Sequence, residues 1–65
     1  MRRLSGEELR AWRKKHGLTQ AELAWLLGVS QSAIGKWETG DRKIPPFLSF
    51  TLSCLEREFL EGGHP

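Results

Sequence analysis

Residues 17–40 constrain the fold most strongly, because they hold two short amphipathic segments with separate start signals and only a few residues between them. The first segment opens with Thr19 three residues before Glu22. This is the spacing of a capping box, in which each side chain accepts a hydrogen bond from the other residue's backbone N–H. Gly28 then offers a left-handed stop, and Ser30 offers a cap for the next helix. The pattern predicts two helices joined by a tight turn.

One further helix is predicted on each side of this pair. Ser5 and Glu8 repeat the capping-box spacing and open a helix that runs to about residue 16. Pro45 and Pro46 prevent helix before them but fit a first turn, so a long fourth helix is expected over about residues 47–61. Its apolar residues at helical spacing are Leu48, Leu52, Leu55 and Phe59, flanked by Phe47, Phe50 and Cys54, so this helix is expected to supply much of the core.

Four helices predict an all-α fold, a small helical bundle with a helix-turn-helix formed by the second and third helices, over about residues 20–27 and 31–39. At 65 residues the chain is expected to form a single domain, residues 1–65, close to the lower size limit for an apolar core. The residues predicted to face the core in the second and third helices are Leu23, Ala24, Leu27, Val29, Ile34 and Trp37.

Composition argues against several classes of function. Cys54 is the single cysteine and cannot form an internal disulfide, and no metal-ligand spacing surrounds it. The sequence has no nucleophile–base pair and no phosphate loop, so we expect neither an enzyme nor a bound cofactor or metal. It also has no signal-peptide pattern and no run apolar enough to span a membrane, so we expect a cytoplasmic location.

Charge is distributed unevenly along the chain. Residues 1–43 carry nine Lys and Arg against five Asp and Glu, whereas residues 44–65 carry one against three. A basic half and an acidic half suit a protein with one face turned toward phosphate. An ordinary solvated surface explains the same distribution equally well, so charge supports a nucleic-acid partner without requiring one.

Several pieces of the chain together resemble the Cro/cI-type (XRE) helix-turn-helix family of DNA-binding transcriptional regulators. The pieces are Arg13, the run GLTQAELA from residue 17, the run GVSQSAIGKWETG from residue 28, and the proline-led fourth helix. The resemblance covers roughly residues 4–55. It implies a lambda-repressor-like fold whose third helix enters the major groove of double-stranded DNA.

The resemblance also implies a set of DNA contacts. Gln31 would read a base, because its amide offers a donor and an acceptor side by side that match adenine N6 and N7. Gln20 would bond a phosphate at the start of the second helix and could brace Gln31. The full set of implied DNA-binding residues is Gln20, Ser30, Gln31, Ser32, Gly35, Lys36, Arg42 and Lys43.

Simpler roles remain open for these residues. Gln20, Ser32 and the loop cations could be exposed polar residues that only keep the surface hydrated. Lys36 could contact a guanine or a phosphate, and its flexible point charge suits a phosphate better. Gly35 inside a short helix costs roughly 1 kcal/mol relative to alanine. Close approach of DNA or packing against the second helix would explain its presence.

Other residues are expected to be structural. Arg13 and Glu38 match a family pair that forms a partly buried salt bridge between the first helix and the end of the third. Removing either would strand a charge, so we expect lost folding before any specific loss of recognition. Trp12 and Trp37 are expected to fill the core, as aromatic residues at helical spacing usually do.

Two apolar pairs depart from the family pattern or extend beyond it. Trp25 and Leu26 lie roughly 110° to 150° around the second helix from its buried stripe. They could form a partner surface, or the fourth helix could fold back over them, and the sequence favours neither. Phe59 and Leu60, near the end of the fourth helix, are predicted to form a symmetric dimer contact, together with Trp25 or Leu26.

The leading interpretation is a sequence-specific double-stranded DNA-binding transcriptional regulator, a repressor that occupies an operator as a homodimer, with an inverted repeat as the expected operator. The alternative is a protein-interaction module, antitoxin-like or a coregulator, that binds a toxin or another protein through the two apolar pairs. Salt-dependent binding to duplex DNA separates the two, because the alternative does not require it.

Overall fold

The computed structural model describes residues 3–60, which contain helices and no strands. The helices are α1 (Gly6–Lys15), α2 (Gln20–Leu27), α3 (Gln31–Thr39) and α4 (Leu48–Leu55), and α4 continues directly into a π-helical segment, Glu56–Leu60. The predicted all-α fold is confirmed, and α2 and α3 have the predicted bounds. Within the described residues no helix is long and apolar enough to cross a membrane.

The turn between α2 and α3 has the geometry that its capping residues predict. The Thr19 hydroxyl accepts from the Glu22 N–H at 3.0 Å, and the Glu22 carboxylate accepts from the Thr19 N–H at 2.8 Å. Gly28 adopts a left-handed conformation with φ 74°, and beyond it the Val29 N–H donates to the Ala24 carbonyl. This Schellman motif ends α2 and allows α3 to begin a few residues later.

The core forms where α3 packs against both α1 and α2. Leu9 of α1, Leu23 of α2 and Ile34 of α3 are each 0% exposed and form its centre. The other buried apolar residues are Ala24, Ala33, Trp37, Ile44, Leu48, Leu52 and Leu55. Trp12 packs against this cluster and is half-buried, so both tryptophans expected in the core contribute to it.

Two predicted core residues at the turn are less buried than expected. Val29 is exposed, because it lies in the Schellman turn, where its backbone N–H rather than its side chain makes the stabilising contact. Leu27 packs against the edge of the core and remains half-buried. The prediction was therefore wrong for Val29 and too strong for Leu27.

The fourth helix differs from the regular helix predicted over residues 47–61. A π-helical turn pairs residue i with i+5 instead of i+4, so Leu60, and not Phe59, lies one turn after Leu55. Phe59 is accordingly 68% exposed, whereas Leu60 is half-buried. The prediction that Phe59 continues the buried stripe was wrong. The predicted end, residue 61, lies outside the described residues.

The flanking row predicted on α4 also lies mostly outside the core. Phe47 and Phe50 are 62% and 58% exposed, and Cys54 is half-buried. Phe47 and Cys54 each come directly before a buried leucine, and Phe50 lies midway between two of them. Their side chains therefore leave the helix about 100° or more away from the leucine stripe. Leu48, Leu52 and Leu55 alone cover the side of the core that α1, α2 and α3 do not enclose.

A close backbone contact joins the start of α1 to the end of α3. A Cβ atom added at Gly6 would lie 2.5 Å from the Glu38 carbonyl oxygen and 2.6 Å from the Trp37 carbonyl oxygen. Both oxygens belong to the α3 backbone, which cannot move aside as a flexible side chain could. The absence of a side chain at Gly6 therefore allows the two helices to approach each other.

We expect Gly6→Ala to lower the free energy of unfolding by about 1–3 kcal/mol, because the new methyl group forces a backbone shift. Urea unfolding followed by circular dichroism measures this. Gly35→Ala is the matched control: its Cβ would meet only the end of the Gln20 side chain, at 3.8 Å. Alanine should stabilise α3 there by about 1 kcal/mol. Equal unfolding midpoints for Gly6→Ala and the wild type would contradict the contact.

Candidate nucleic-acid interface

A surface cleft of about 660 Å³ lies along the outer side of α3. It is lined by Gln20, Gln31, Ser32, Gly35, Lys36, Thr39 and Asp41. The structure thus brings together five of the residues that the sequence analysis assigned to DNA contact. Thr39 and Asp41 were not assigned there. The only sequence signal for them is their position, because Thr39 lies one turn after Lys36 and Asp41 directly follows the stop of α3.

The periodicity of α3 explains why these side chains share one side. Ala33, Ile34 and Trp37 face the core, and the helix turns the intervening polar positions outward. Ser30 has a different role from its neighbours. Its hydroxyl accepts from the Ala33 N–H at 3.1 Å and caps α3, and Ser30 does not line the cleft.

A buried ion pair lies next to the cleft, on the core side of α3. Arg13 donates to Glu38 through two nitrogens, Nε to Oε2 at 2.7 Å and Nη2 to Oε1 at 3.1 Å. The third guanidinium nitrogen, Nη1, donates to the Leu18 carbonyl at 2.9 Å. The Arg13 and Glu38 side chains are only 11% and 4% exposed. The ion pair expected from the sequence is therefore present, and it is bidentate.

The pKa values of this pair are shifted toward the charged forms. Burial alone would raise the pKa of Glu38, but the hydrogen bonds from Arg13 and Gln20 outweigh it and hold that pKa below its ordinary value. The hydrogen bond to Glu38 raises the pKa of Arg13. Both groups therefore remain charged at neutral pH.

Gln20 connects this ion pair to the cleft. Its amide nitrogen donates to Glu38 Oε1 at 3.1 Å. Among residues 3–60 no hydrogen bond joins Gln20 to Gln31, so the brace between the two glutamines on DNA stays a prediction. The carboxylate attracts the amide N–H groups more strongly than a neutral glutamine would. The Gln20 side chain is thereby fixed against Gly35.

Gly35 is not required by packing inside the protein. A Cβ at this position would lie 3.8 Å from Gln20 Oε1 and 4.0 Å from its Nε2, which are ordinary contact distances. Of the two explanations that the sequence left open, packing against α2 is therefore not supported. Close approach of a molecule in the cleft is the other explanation that the sequence offered, and it stays a prediction.

The loop after α3 is held in place by a single carbonyl group. The Lys36 carbonyl accepts from the Gly40 N–H at 3.1 Å, the Arg42 N–H at 3.2 Å and the Thr39 hydroxyl at 3.3 Å. Arg42 and Lys43 are exposed in this loop and do not line the cleft. The loop cations therefore lie next to the cleft in sequence but outside its walls.

An apolar groove of about 500 Å³ lies on another face of α2. It is lined by Leu18, Ala21, Glu22, Trp25, Leu26 and Leu60. The end of the fourth helix contributes Leu60 to this groove, and Leu26 is half-buried against the core. Trp25 nevertheless remains 81% exposed. The fourth helix therefore covers part of the surface that the sequence left ambiguous and leaves the indole open.

The π-helical segment is attached to the end of α1. His16 Nε2 lies 3.2 Å from Glu56 Oε2, and Lys15 Nζ lies 3.4 Å from the same oxygen. The His16 ring also contacts the Trp12 ring, with centroids 4.5 Å apart. These contacts were not predicted from the sequence. In the described part of the chain, no group of three or more His, Cys, Asp or Glu side chains could hold a metal ion.

Comparison with known proteins gives consistent matches. The family described as helix-turn-helix matches residues 9–54. An HTH-type transcriptional regulatory protein of Thermococcus kodakarensis is 45% identical over 58 residues, which cover 89% of this chain and 18% of that protein. An uncharacterized HTH-type transcriptional regulator of Methanocaldococcus jannaschii is 36% identical over 62 residues, covering 91% and 26%.

A third relative, an uncharacterized HTH-type transcriptional regulator of Archaeoglobus fulgidus, is 49% identical over 39 residues, covering 60% of this chain and 17% of that protein. The chain thus spans about a quarter or less of the length of these relatives. No solved structure matches significantly.

We expect Glu38→Gln to destabilise the fold by roughly 2 kcal/mol or more at pH 7, because Arg13 loses its counter-charge in a buried site. The folded-state pKa of Glu38 lies below the unfolded one, so its contribution is present above about pH 4.5 and disappears as the pH falls through the lower folded-state value. The difference in unfolding free energy between wild type and Glu38→Gln should therefore shrink in acid.

The measurement is urea unfolding from pH 7 to pH 3, with the exposed Glu58→Gln as control. A wild-type advantage that stays constant down to pH 3 would contradict the lowered pKa of Glu38.

Proposed function

Since the chain belongs to the helix-turn-helix family, we propose that it is a sequence-specific double-stranded DNA-binding transcriptional regulator. We further propose that residues 1–65 act as one domain in the cytoplasm and repress transcription by occupying an operator as a dimer. The observation that supports this most strongly is the cleft along α3, where amide and hydroxyl side chains converge around a glycine that the protein's own packing does not require.

In this proposal the start of α3 enters the major groove. Gln31 and Ser32 lie in the first turn of the helix, where they can reach base edges, and a glutamine amide matches adenine N6 and N7. Gly35, one turn later, lets the helix backbone approach the DNA closely. Lys36 lies beside them and adds a positive charge for a phosphate.

Phosphate contacts are assigned to the edges of the cleft. Arg42 and Lys43 are exposed in a loop whose backbone is fixed by the Lys36 carbonyl, so their charges are held near the expected DNA backbone. On the other edge, the first N–H groups of α2, beginning at Gln20, can donate to a phosphate. Ser30 would contribute through its cap of α3, which fixes the start of the recognition helix.

The dimer contact is assigned to Trp25, Leu26, Phe59 and Leu60. Trp25 and Phe59 are 81% and 68% exposed, and aromatic side chains bury about 150–250 Å² each. Together they would supply roughly 300 Å² of the about 800 Å² per partner in a standard interface. We therefore expect a dimer that is weak in solution and completed on DNA, where two half-sites bring the copies together.

The apolar groove also supports a second candidate function, a protein-interaction module. A groove lined almost entirely by apolar side chains, with an exposed indole at its edge, is typical of a surface that binds another protein. In that case the occupant would be a toxin or another protein partner, and binding to duplex DNA would not be required. Binding to DNA discriminates between the two candidates.

The decisive experiment is selection of random duplex DNA by the purified protein at two salt concentrations. Enrichment of an inverted repeat would support the dimeric DNA-binding regulator, and placing that sequence over a promoter in a transcription assay would then test repression. Retention of DNA without a motif would count against sequence specificity. No retention even at low salt would favour the protein-interaction module.

Two substitutions should separate base reading from phosphate binding. We expect Gln31→Ala to weaken binding to the selected sequence by about 10-fold or more and to relax the preference at one base pair, since a good bidentate base contact is worth about 1–3 kcal/mol. Lys43→Ala should weaken binding to all sequences and reduce the slope of log K against log salt by about 0.9. Equal losses on every sequence for Gln31→Ala would contradict its assignment.

Trp25→Ala should shift the protein toward monomer in analytical ultracentrifugation at tens of micromolar with operator DNA present, because the largest exposed apolar side chain is lost. Phe50→Ala is the control, since that ring is also exposed but lies on α4 outside the groove. A wild-type protein that remains monomeric both with and without DNA would rule out the proposed dimer.

A further inference from the structure

Asp41 places a negative charge in a cleft that is otherwise suited to an acidic polymer. Among the residues that line the cleft, Lys36 is the only cation and Asp41 the only carboxylate, so their charges cancel. The other lining residues are glycine and neutral amides or hydroxyls. Glu38 does not add to this balance at the surface, because its buried charge is paired with Arg13.

The position of Asp41 is fixed although its side chain is not bound. The residues on both sides of it, Gly40 and Arg42, donate their backbone N–H groups to the Lys36 carbonyl. Within residues 3–60, no hydrogen bond or ion pair engages the Asp41 side chain, which is exposed. Its carboxylate is therefore available to a molecule that enters the cleft. The backbone hydrogen bonds on both sides keep the residue at this position.

A carboxylate in such a place distinguishes two kinds of DNA surface. It repels phosphate oxygens, but it can accept a hydrogen bond from an exocyclic amino group in the major groove, such as cytosine N4 or adenine N6. Specificity often depends on a repulsive element that penalises the wrong partner. A cleft in which Asp41 offsets Lys36, with the further cations Arg42 and Lys43 outside its walls, has the arrangement that such a penalty requires.

We propose that Asp41 determines specificity by repelling phosphate from its own part of the cleft and accepting there only base edges that carry an amino group. This inference rests on the proposed DNA-binding function. Asp41 weakens binding when the cleft lies over the DNA backbone, as in a nonspecific complex. In the specific complex the same carboxylate is satisfied by a base, and the penalty disappears.

The test compares Asp41→Asn with the wild type on two duplexes, the sequence selected from random DNA and a scrambled version of it. Asp41→Asn should bind the scrambled duplex more tightly, by up to about eightfold at 0.1 M salt. This is the gain from one additional phosphate neutralised by Lys36, which Asp41 no longer offsets, at a slope near 0.9. Binding to the selected sequence should stay unchanged or fall. The ratio of the two affinities should therefore drop severalfold.

Glu58→Gln is the matched control, because it removes one exposed carboxylate from the π-helical segment, outside the cleft. If Asp41→Asn raised the affinity for both duplexes equally, Asp41 would have only a general electrostatic effect, and the proposal would be overturned. Unchanged affinity for both duplexes would overturn it as well. Unfolding in urea checks that the variant is folded. Failure of the wild type to bind any duplex would instead refute the DNA-binding function itself.

Discussion

The bidentate ion pair between Arg13 and Glu38 determines how the first three helices meet. Arg13 extends from α1, Glu38 lies near the end of α3, and Gln20 at the start of α2 donates to the same carboxylate. A buried ion pair adds little net stability compared with apolar side chains of the same size, because both charges lose hydration. Its demand for well-aligned donors is strict, however, so we infer that its main effect is to fix the orientation of the helices.

This network also connects the core to the surface. Glu38 accepts from Gln20, and Gln20 in turn lies against Gly35 in the wall of the cleft. A change in the ion pair would therefore alter the position of α2 relative to the exposed side of α3. The apolar residues beneath them, such as Leu23 and Ile34, are fully buried and keep the helices in close contact.

Local sequence signals predicted the elements well, and long-range contacts were harder to predict. The caps at Thr19 and Ser30 act within a few residues, so they gave the bounds of α2 and α3 correctly. The approach of Gly6 to α3 depends on residues more than thirty positions apart, and a glycine at the start of a helix gives no sign of it. The hydrogen-bond partner of Gln20 was equally hard to predict. The Glu38 carboxylate and the Gln31 amide oxygen can both accept from its amide, and the sequence does not show which one does.

The residues of the cleft and of the groove were likewise predictable only where a local pattern marked them. The family resemblance identified four α3 residues that line the cleft, Gln31, Ser32, Gly35 and Lys36. It missed Thr39 at the end of α3, and Asp41 was missed because a loop has no period. Phe59 was placed on the wrong side for a different reason: no feature of the amino-acid sequence marked the change of helical winding after Leu55.

The π-helical winding decides which side chain forms one wall of the apolar groove. A π turn is equivalent to an α turn that accommodates one additional residue. Regular α winding of Glu56–Leu60 at unchanged length would turn Phe59 toward α2 and Leu60 toward solvent. In evolutionary terms, a substitution that changed the winding at this point would remodel the groove while leaving the ion-pair network and the cleft unchanged, so the two surfaces can diverge independently.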